Sequence, residues 1–261
     1  MLLALALLIS APIAVIAGQT GSAEVSLSEP REASLEKLLS AENWLELGQM
    51  LKSPKDQPEF DADLMWLRQK TLDGNSAFLS LAYGSGLWYM ALSIKDERQK
   101  RAIQSTALLM HLYAISATNI DGTQCVDKTA PSNRIDQIMR YTPGIWDFAA
   151  SLSDEERTQI LDYVVEVEQT TAPKRLASGD AKFLCMGGMS QISFGLANGT
   201  TREVPPEAGQ FGRQMKVDDG GKYVPEVIAK EEWGKIAIER RAGLRNEIET
   251  LLLAAKKQAA N

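Results

Sequence analysis

His111 is the only histidine of this chain, and Cys125 and Cys185 are its only cysteines. That scarcity excludes multi-histidine zinc sites, four-cysteine clusters and histidine-pair relays. His111 lies in a helical stretch beside Met110 and Ala114, where a lone histidine is a packed or hydrogen-bonded residue before it is a base or a ligand. Neither cysteine belongs to a C-x-x-C motif, and a nucleophilic thiol would need His111 brought to it from another segment. In an oxidising compartment the pair reads most simply as one Cys125–Cys185 disulfide; two buried free thiols are the alternative. Gly84-Ser85-Gly86 is not the G-x-S-x-G elbow. It interrupts an apolar helical pattern as either a close-packing notch or a break. Asp218-Asp219-Gly220-Gly221 offers oxygens to a hard cation but lacks the EF-hand series, and reads as a polar turn. Phosphate-binding glycine loops are absent from any strand-to-helix setting. No catalytic residue, metal ligand or cofactor is assigned.

Two short segments carry local resemblances. Residues 66–75, Trp66-Leu67-Arg68-Gln69-Lys70-Thr71-Leu72-Asp73-Gly74-Asn75, followed by Ala77, resemble the helix-turn-helix junction of a Sel-like repeat. Such repeats are similar to tetratricopeptide arrays, which bind proteins between stacked helix pairs; the match covers one unit, with no second copy at the same period. Gly188-Met189-Ser190-Gln191-Ile192 resembles the Gly-Leu-Met-Gln segment of lytic transglycosylases. Here a serine separates Met189 from Gln191, and the upstream Glu-Ser pair is missing. That resemblance would cast Glu166 or Glu168 as the buried acid that protonates a glycosidic oxygen, but their helix gives neither a marked environment and leaves both at exposed positions.

The elements that must position these residues are helical. Ser34 opens a short helix, Ser40 can cap the next, and Asp61 can cap one that closes at Asp73-Gly74-Asn75. Ser76 starts a segment with almost no polar face, as a central helix would. Asp96 caps a long helix ending at Asp121-Gly122, and Ser153-Asp154-Glu155-Glu156 starts another that Pro173 stops. Trp88, Tyr89, Tyr113, Tyr141, Trp146 and Phe148 fall at spacings that suit either a core or a ligand pocket between helices. No stretch shows the alternation and hairpin turns of a sheet. The C-terminal helix over residues 231–257 carries a narrow seam of Trp233, Ile236, Arg240, Leu244, Ile248 and Leu251. A seam so narrow wants a surface, either the protein's own body or another chain.

The expected fold is therefore all-α. Residues 1–17 read as a signal peptide or N-terminal anchor and 18–33 as a flexible leader. Residues 34–194 form a helical-hairpin bundle or short α-solenoid-like body. A Gly/Pro-rich linker or arm (195–228) and a C-terminal amphipathic helix (229–261) complete it. Residues 2–17 are almost wholly apolar, too short for a spanning helix of about 20 residues but suited to a secretory signal. Val15 and Ala17 would direct a cut before Gly18, Gly21 and Ala23 a cut before Glu24; no Lys or Arg precedes Arg31. With 28 Lys and Arg against 34 Asp and Glu, the formal charge is −6, which argues against nucleic acid as partner. The expectation is an exported, periplasmic or secreted protein that contacts a membrane only if its first segment is uncleaved. It would bind a protein partner, or itself, through the C-terminal seam. The alternatives are a cell-wall glycan hydrolase acting through Glu166 or Glu168, and a small-ligand binder with an aromatic-lined interior.

Overall fold

The computed structural model describes residues 29–178, 181–205 and 214–259; the apolar run of residues 2–17 and its two candidate cleavage points lie outside them. The fold is all-α, with one small sheet. Eleven helices are present among the described residues: α1 Glu29–Ser40, α2 Trp44–Leu51, α3 Gln57–Leu72, α4 Ala77–Ser93, α5 Glu97–Asp121, α6 Thr129–Tyr141, α7 Ile145–Ala150, α8 Asp154–Ser178, α9 Ala181–Cys185, α10 Met189–Asn198 and α11 Lys230–Ala259. None of them is long and apolar enough to cross a membrane.

Short polar side chains fix where the helices begin. Asp56 Oδ1 accepts the Glu59 amide at the start of α3, Ser76 Oγ the Phe78 amide of α4, and Asp96 Oδ1 the Gln99 amide of α5. Ser153 and Glu156 form a reciprocal capping box on α8, and Arg101 of α5 grips the same glutamate through Nε at 2.7 Å. Three boundaries differ from the sequence expectation. Helix α1 already includes Glu29, ahead of the expected opening at Ser34, with Arg31 tied to Asp63 of α3 at 2.9 and 2.5 Å. Helix α3 starts before Pro58 with Asp56 as cap, not at Asp61, because a proline is tolerated in a first turn. Pro173 does not stop α8, which continues to Ser178. Its last turn is held by Arg175, which is bonded into the core beyond the proline.

The centre of the molecule is the antiparallel pair α4–α5. Helix α3 packs on α4, α6 and α8 pack on α5, and α1 and α2 form a hairpin whose second helix reaches α4. Nearly every residue of α5 from Thr106 to Thr118 is buried, as a helix enclosed on all sides requires. The expected arm contains a two-stranded antiparallel sheet, β1 Thr200–Val204 with β2 Gln214–Asp218, registered Thr200 to Asp218 and Val204 to Gln214. This hairpin corrects the expectation of no sheet. Its first strand is exposed at four of its five residues, so it has no buried face to impose an alternating apolar pattern. Beyond it the chain runs extended along the turn at Cys125, where Val126 N donates to Glu226 O and Ile228 N to Gln124 O. Cys125 and Cys185 stand at disulfide-bonding distance, Cα to Cα 5.2 Å, and join that turn to the end of α9.

Candidate functional site

A cleft of about 500 Å³ opens between α2, α3 and α4, closed at one end by Tyr141. Its floor is one face of α4, where Phe78, Ala82, Ser85, Gly86 and Tyr89 recur at helical spacing. Two glycines make this possible. A Cβ on Gly86 would stand 2.6 Å from Leu64 Cδ2, and one on Gly84, on the other side of the helix, 2.7 Å from His111 Nδ1. Gly84-Ser85-Gly86 is thus a packing notch in an unbroken helix, letting α4 approach α3 and α5 at once. Leu51, Phe60, Leu64, Leu67 and Phe78 give the cleft an apolar lining.

The polar groups of the cleft are few. Asp63 is buried and doubly bonded to Arg31, which also donates to Met50 O at 3.0 Å. Lys52, exposed at the rim, holds its ammonium 5.0 Å from the centre of the Tyr141 ring. Ser85, 5% exposed, is the hydroxyl of the floor. Behind it Thr142 Oγ1 lies 2.9 Å from Ser85 Oγ and 2.7 Å from His111 Nε2. His111 Nδ1 lies 3.0 Å from Ala107 O, an acceptor only, so Nδ1 carries the proton and Nε2 accepts from Thr142. Burial lowers the His111 pKa to about 4, outweighing the upward pull of the Ala107 bond, so the imidazole is neutral at pH 7.

A hydroxyl backed by a neutral imidazole suggests nucleophilic chemistry, but Ser85 sits inside α4. The backbone N–H groups around it are committed to helix hydrogen bonds and are not aimed where a developing oxyanion would sit. The arrangement ties the cleft floor to α5 and to the end of α6: Ser85 Oγ lies 2.9 Å from Thr142 Oγ1 and 3.4 Å from His111 Nε2.

The residues singled out from the sequence lie elsewhere. Of the aromatic set, Tyr89 and Tyr141 line the cleft; Trp88, Tyr113 and Phe148 are buried core, and Trp146 donates to Met139 O. Of the C-terminal seam, Trp233, Leu244 and Ile248 are buried against the protein's own α5, α7 and α8. Ile236 and Leu251 flank the contact half-buried, and Arg240 is exposed. Ala237, Arg241 and Leu252 face inward in their place: the small Ala237 lets the helix close, and Arg241 Nε reaches Glu168 Oε1 at 2.8 Å.

Glu168 corrects the expectation of an exposed position. It is 1% exposed, at the centre of a charge network that joins α5, α8 and α11. Arg175 Nη2 donates to both its oxygens at 2.6 Å, Arg175 Nε to Asp121 Oδ2 at 2.6 Å, and Arg175 Nη1 to Tyr113 and Thr171. A carboxylate held by two guanidinium groups is not available to protonate a leaving oxygen. The Gly188–Ile192 segment is likewise structural. Asp127 Oδ2 accepts the Ser190 amide, Thr129 Oγ1 accepts the Met189 amide, and Gln191 Oε1 accepts the Gly187 amide. Asp218 and Asp219 accept the amides of Gly220 and Gly221, both at positive φ, as turn formers do. Among the described residues no group of three His, Cys, Asp or Glu side chains converges as metal ligands.

The sequence reading missed both the cleft and the network; the signal that could have found the network is the spacing of Leu161, Val164, Glu168, Thr171 and Arg175, which form one buried stripe of α8 at intervals of three and four. Charged residues continuing an apolar stripe signal a buried pair. No protein-family model, curated protein or solved structure matches this chain.

Proposed function

We propose that this protein is an exported binder of a small, largely apolar ligand, held in the cleft between α2, α3 and α4. The observation that carries the reading is the cleft: a preformed apolar concavity with one buried hydroxyl and one rim lysine has the make-up of a ligand site. The test is titration of the full chain with the uncharged fluorophore N-phenyl-1-naphthylamine, beside the Ala82→Phe variant, which fills the middle of the floor. One-to-one saturable binding, lost in Ala82→Phe at unchanged Tm, is the expected result. Binding that does not saturate, or that Ala82→Phe leaves intact, overturns the reading.

Export rests on residues 2–17 and on the cysteine pair at disulfide distance. Intact mass from the native host, with thiol labelling before and after reduction, tests it: an uncut chain with two free thiols rejects it. A protein partner in the cell envelope is the second reading, favoured by α10, where Met189, Ile192 and Leu196 are 55%, 38% and 61% exposed along one face. Leu196→Asp should then release a partner that cross-links to the wild-type protein.

A further inference from the structure

The cleft is polar at one end and apolar at the other. It follows α4 from Phe78 to Tyr89, a length of about 16 Å at the helical rise of 1.5 Å per residue. At the Phe78 end the floor merges into an aromatic cluster, with Trp44 and Phe183 at 5.6 and 5.7 Å from the Phe78 ring. Toward the other end lie Tyr141, Lys52 over its ring, and Ser85, which bonds to the neighbouring Thr142.

The charges at the polar end do not cancel. Asp63 is held by Arg31, and the adjacent Glu59 lies 3.5 Å from Arg31 and 3.7 Å from Lys55. Lys52 forms no ion pair among the described residues; its contact is the face of Tyr141. The acids around the mouth are thus neutralised within the protein, and one cation is left facing an aromatic ring, an attraction that an anion in the mouth can reinforce or replace. Ser85 is the other polar residue of that end, its hydroxyl 2.9 Å from Thr142 Oγ1 and 3.4 Å from His111 Nε2.

We infer that the ligand is a single-chain carboxylate amphiphile, with its head at the Lys52–Tyr141–Ser85 end and its tail along α4 toward Phe78. This rests on the cleft reading above and specifies its ligand class. The experiment is isothermal calorimetry of the full chain with dodecanoate and dodecyltrimethylammonium below their micelle-forming concentrations and dodecanol below its solubility limit, for wild type and Lys52→Gln. Dodecanoate should bind about two- to fivefold tighter than dodecanol, as one exposed charge-assisted contact allows. That gap should close in Lys52→Gln, with the cationic amphiphile weakest in the wild type. Equal affinities for the three probes, a cationic preference, or a dodecanoate preference that survives Lys52→Gln overturns the head-group assignment and leaves the apolar cleft standing. Absence of saturable binding by all three overturns the assignment together with the cleft reading.

Discussion

Acid should weaken this fold through His111. The imidazole is fully buried and neutral, and burial lowers its pKa from 6.5 to about 4, with the Ala107 hydrogen bond pulling the other way. The unfolded chain takes up that proton near pH 6.5 and the folded chain only near pH 4. Between those values the unfolded state holds more protons, so stability falls as pH falls. At 1.36 kcal/mol per pKa unit, the loss between pH 7 and pH 4 is about 3 kcal/mol. That is a large part of a domain stability of about 5–15 kcal/mol. The assay is urea unfolding followed by circular dichroism in steps across that range, for wild type and His111→Gln. A glutamine oxygen can still accept from Thr142 but does not titrate. Carboxylates contribute to both proteins alike, so the difference between the two stability curves isolates His111. The wild type should lose about 3 kcal/mol more than the variant. Parallel curves would refute the reasoning, because they would mean that the imidazole takes up a proton in the folded protein as easily as in water.

Three further outcomes are expected. Arg175→Met should cost about 3–5 kcal/mol in urea unfolding, because it leaves the buried Asp121 and Glu168 to share Arg241 alone; adding Glu168→Gln should recover part of that, and simple additivity would deny the coupling. Leu244→Ala should cost about 2–5 kcal/mol, since Leu244 is 3% exposed on the inner face of α11; a loss below about 0.5 kcal/mol would detach the helix from the body in solution. Reducing the Cys125–Cys185 bond, which spans 60 residues, should lower stability by about 4 kcal/mol in the loop-entropy model, read as a shift in the urea midpoint.

The existence of the helices was legible because each rests on short-range chemistry: Ser76, Asp96 and Ser153 cap where their side chains reach the next turn. The errors fell where a distant residue decides. Pro173 ought to end a helix, but Arg175, two residues on, is bonded to Asp121, which lies 54 positions earlier in the chain. The helical turn of α1 ahead of Ser34 is likewise held by Arg31 meeting Asp63, 32 residues away. The strand Thr200–Val204 escaped for the opposite reason: with almost no buried face, it carries no pattern to read.

The cleft was hidden for a geometrical reason. Its floor lies on one helix and was visible as an apolar run with a glycine notch, but its walls come from α2 and α3 and its end from Tyr141, at the end of α6. The sequence brought the aromatic residues forward as a group, and packing divides them. Trp88 and Phe148 stack edge to face in the core at 5.9 Å, while Tyr89, one position along from Trp88, turns to the opening. One step along a helix rotates a side chain by about 100°, which is enough to separate a core residue from a site residue. The seam of α11 shows the same effect, with Arg240 exposed and Arg241 joined to Glu168. A sequence stripe therefore locates a buried face to within one residue, and the residue that can form a partner within the chain decides which way the helix turns. By that logic the group with no ion pair among the described residues is the informative one. The protein closes Arg241, Arg175 and Arg31 on its own carboxylates and leaves Lys52 on a tyrosine ring at the mouth of an apolar cleft.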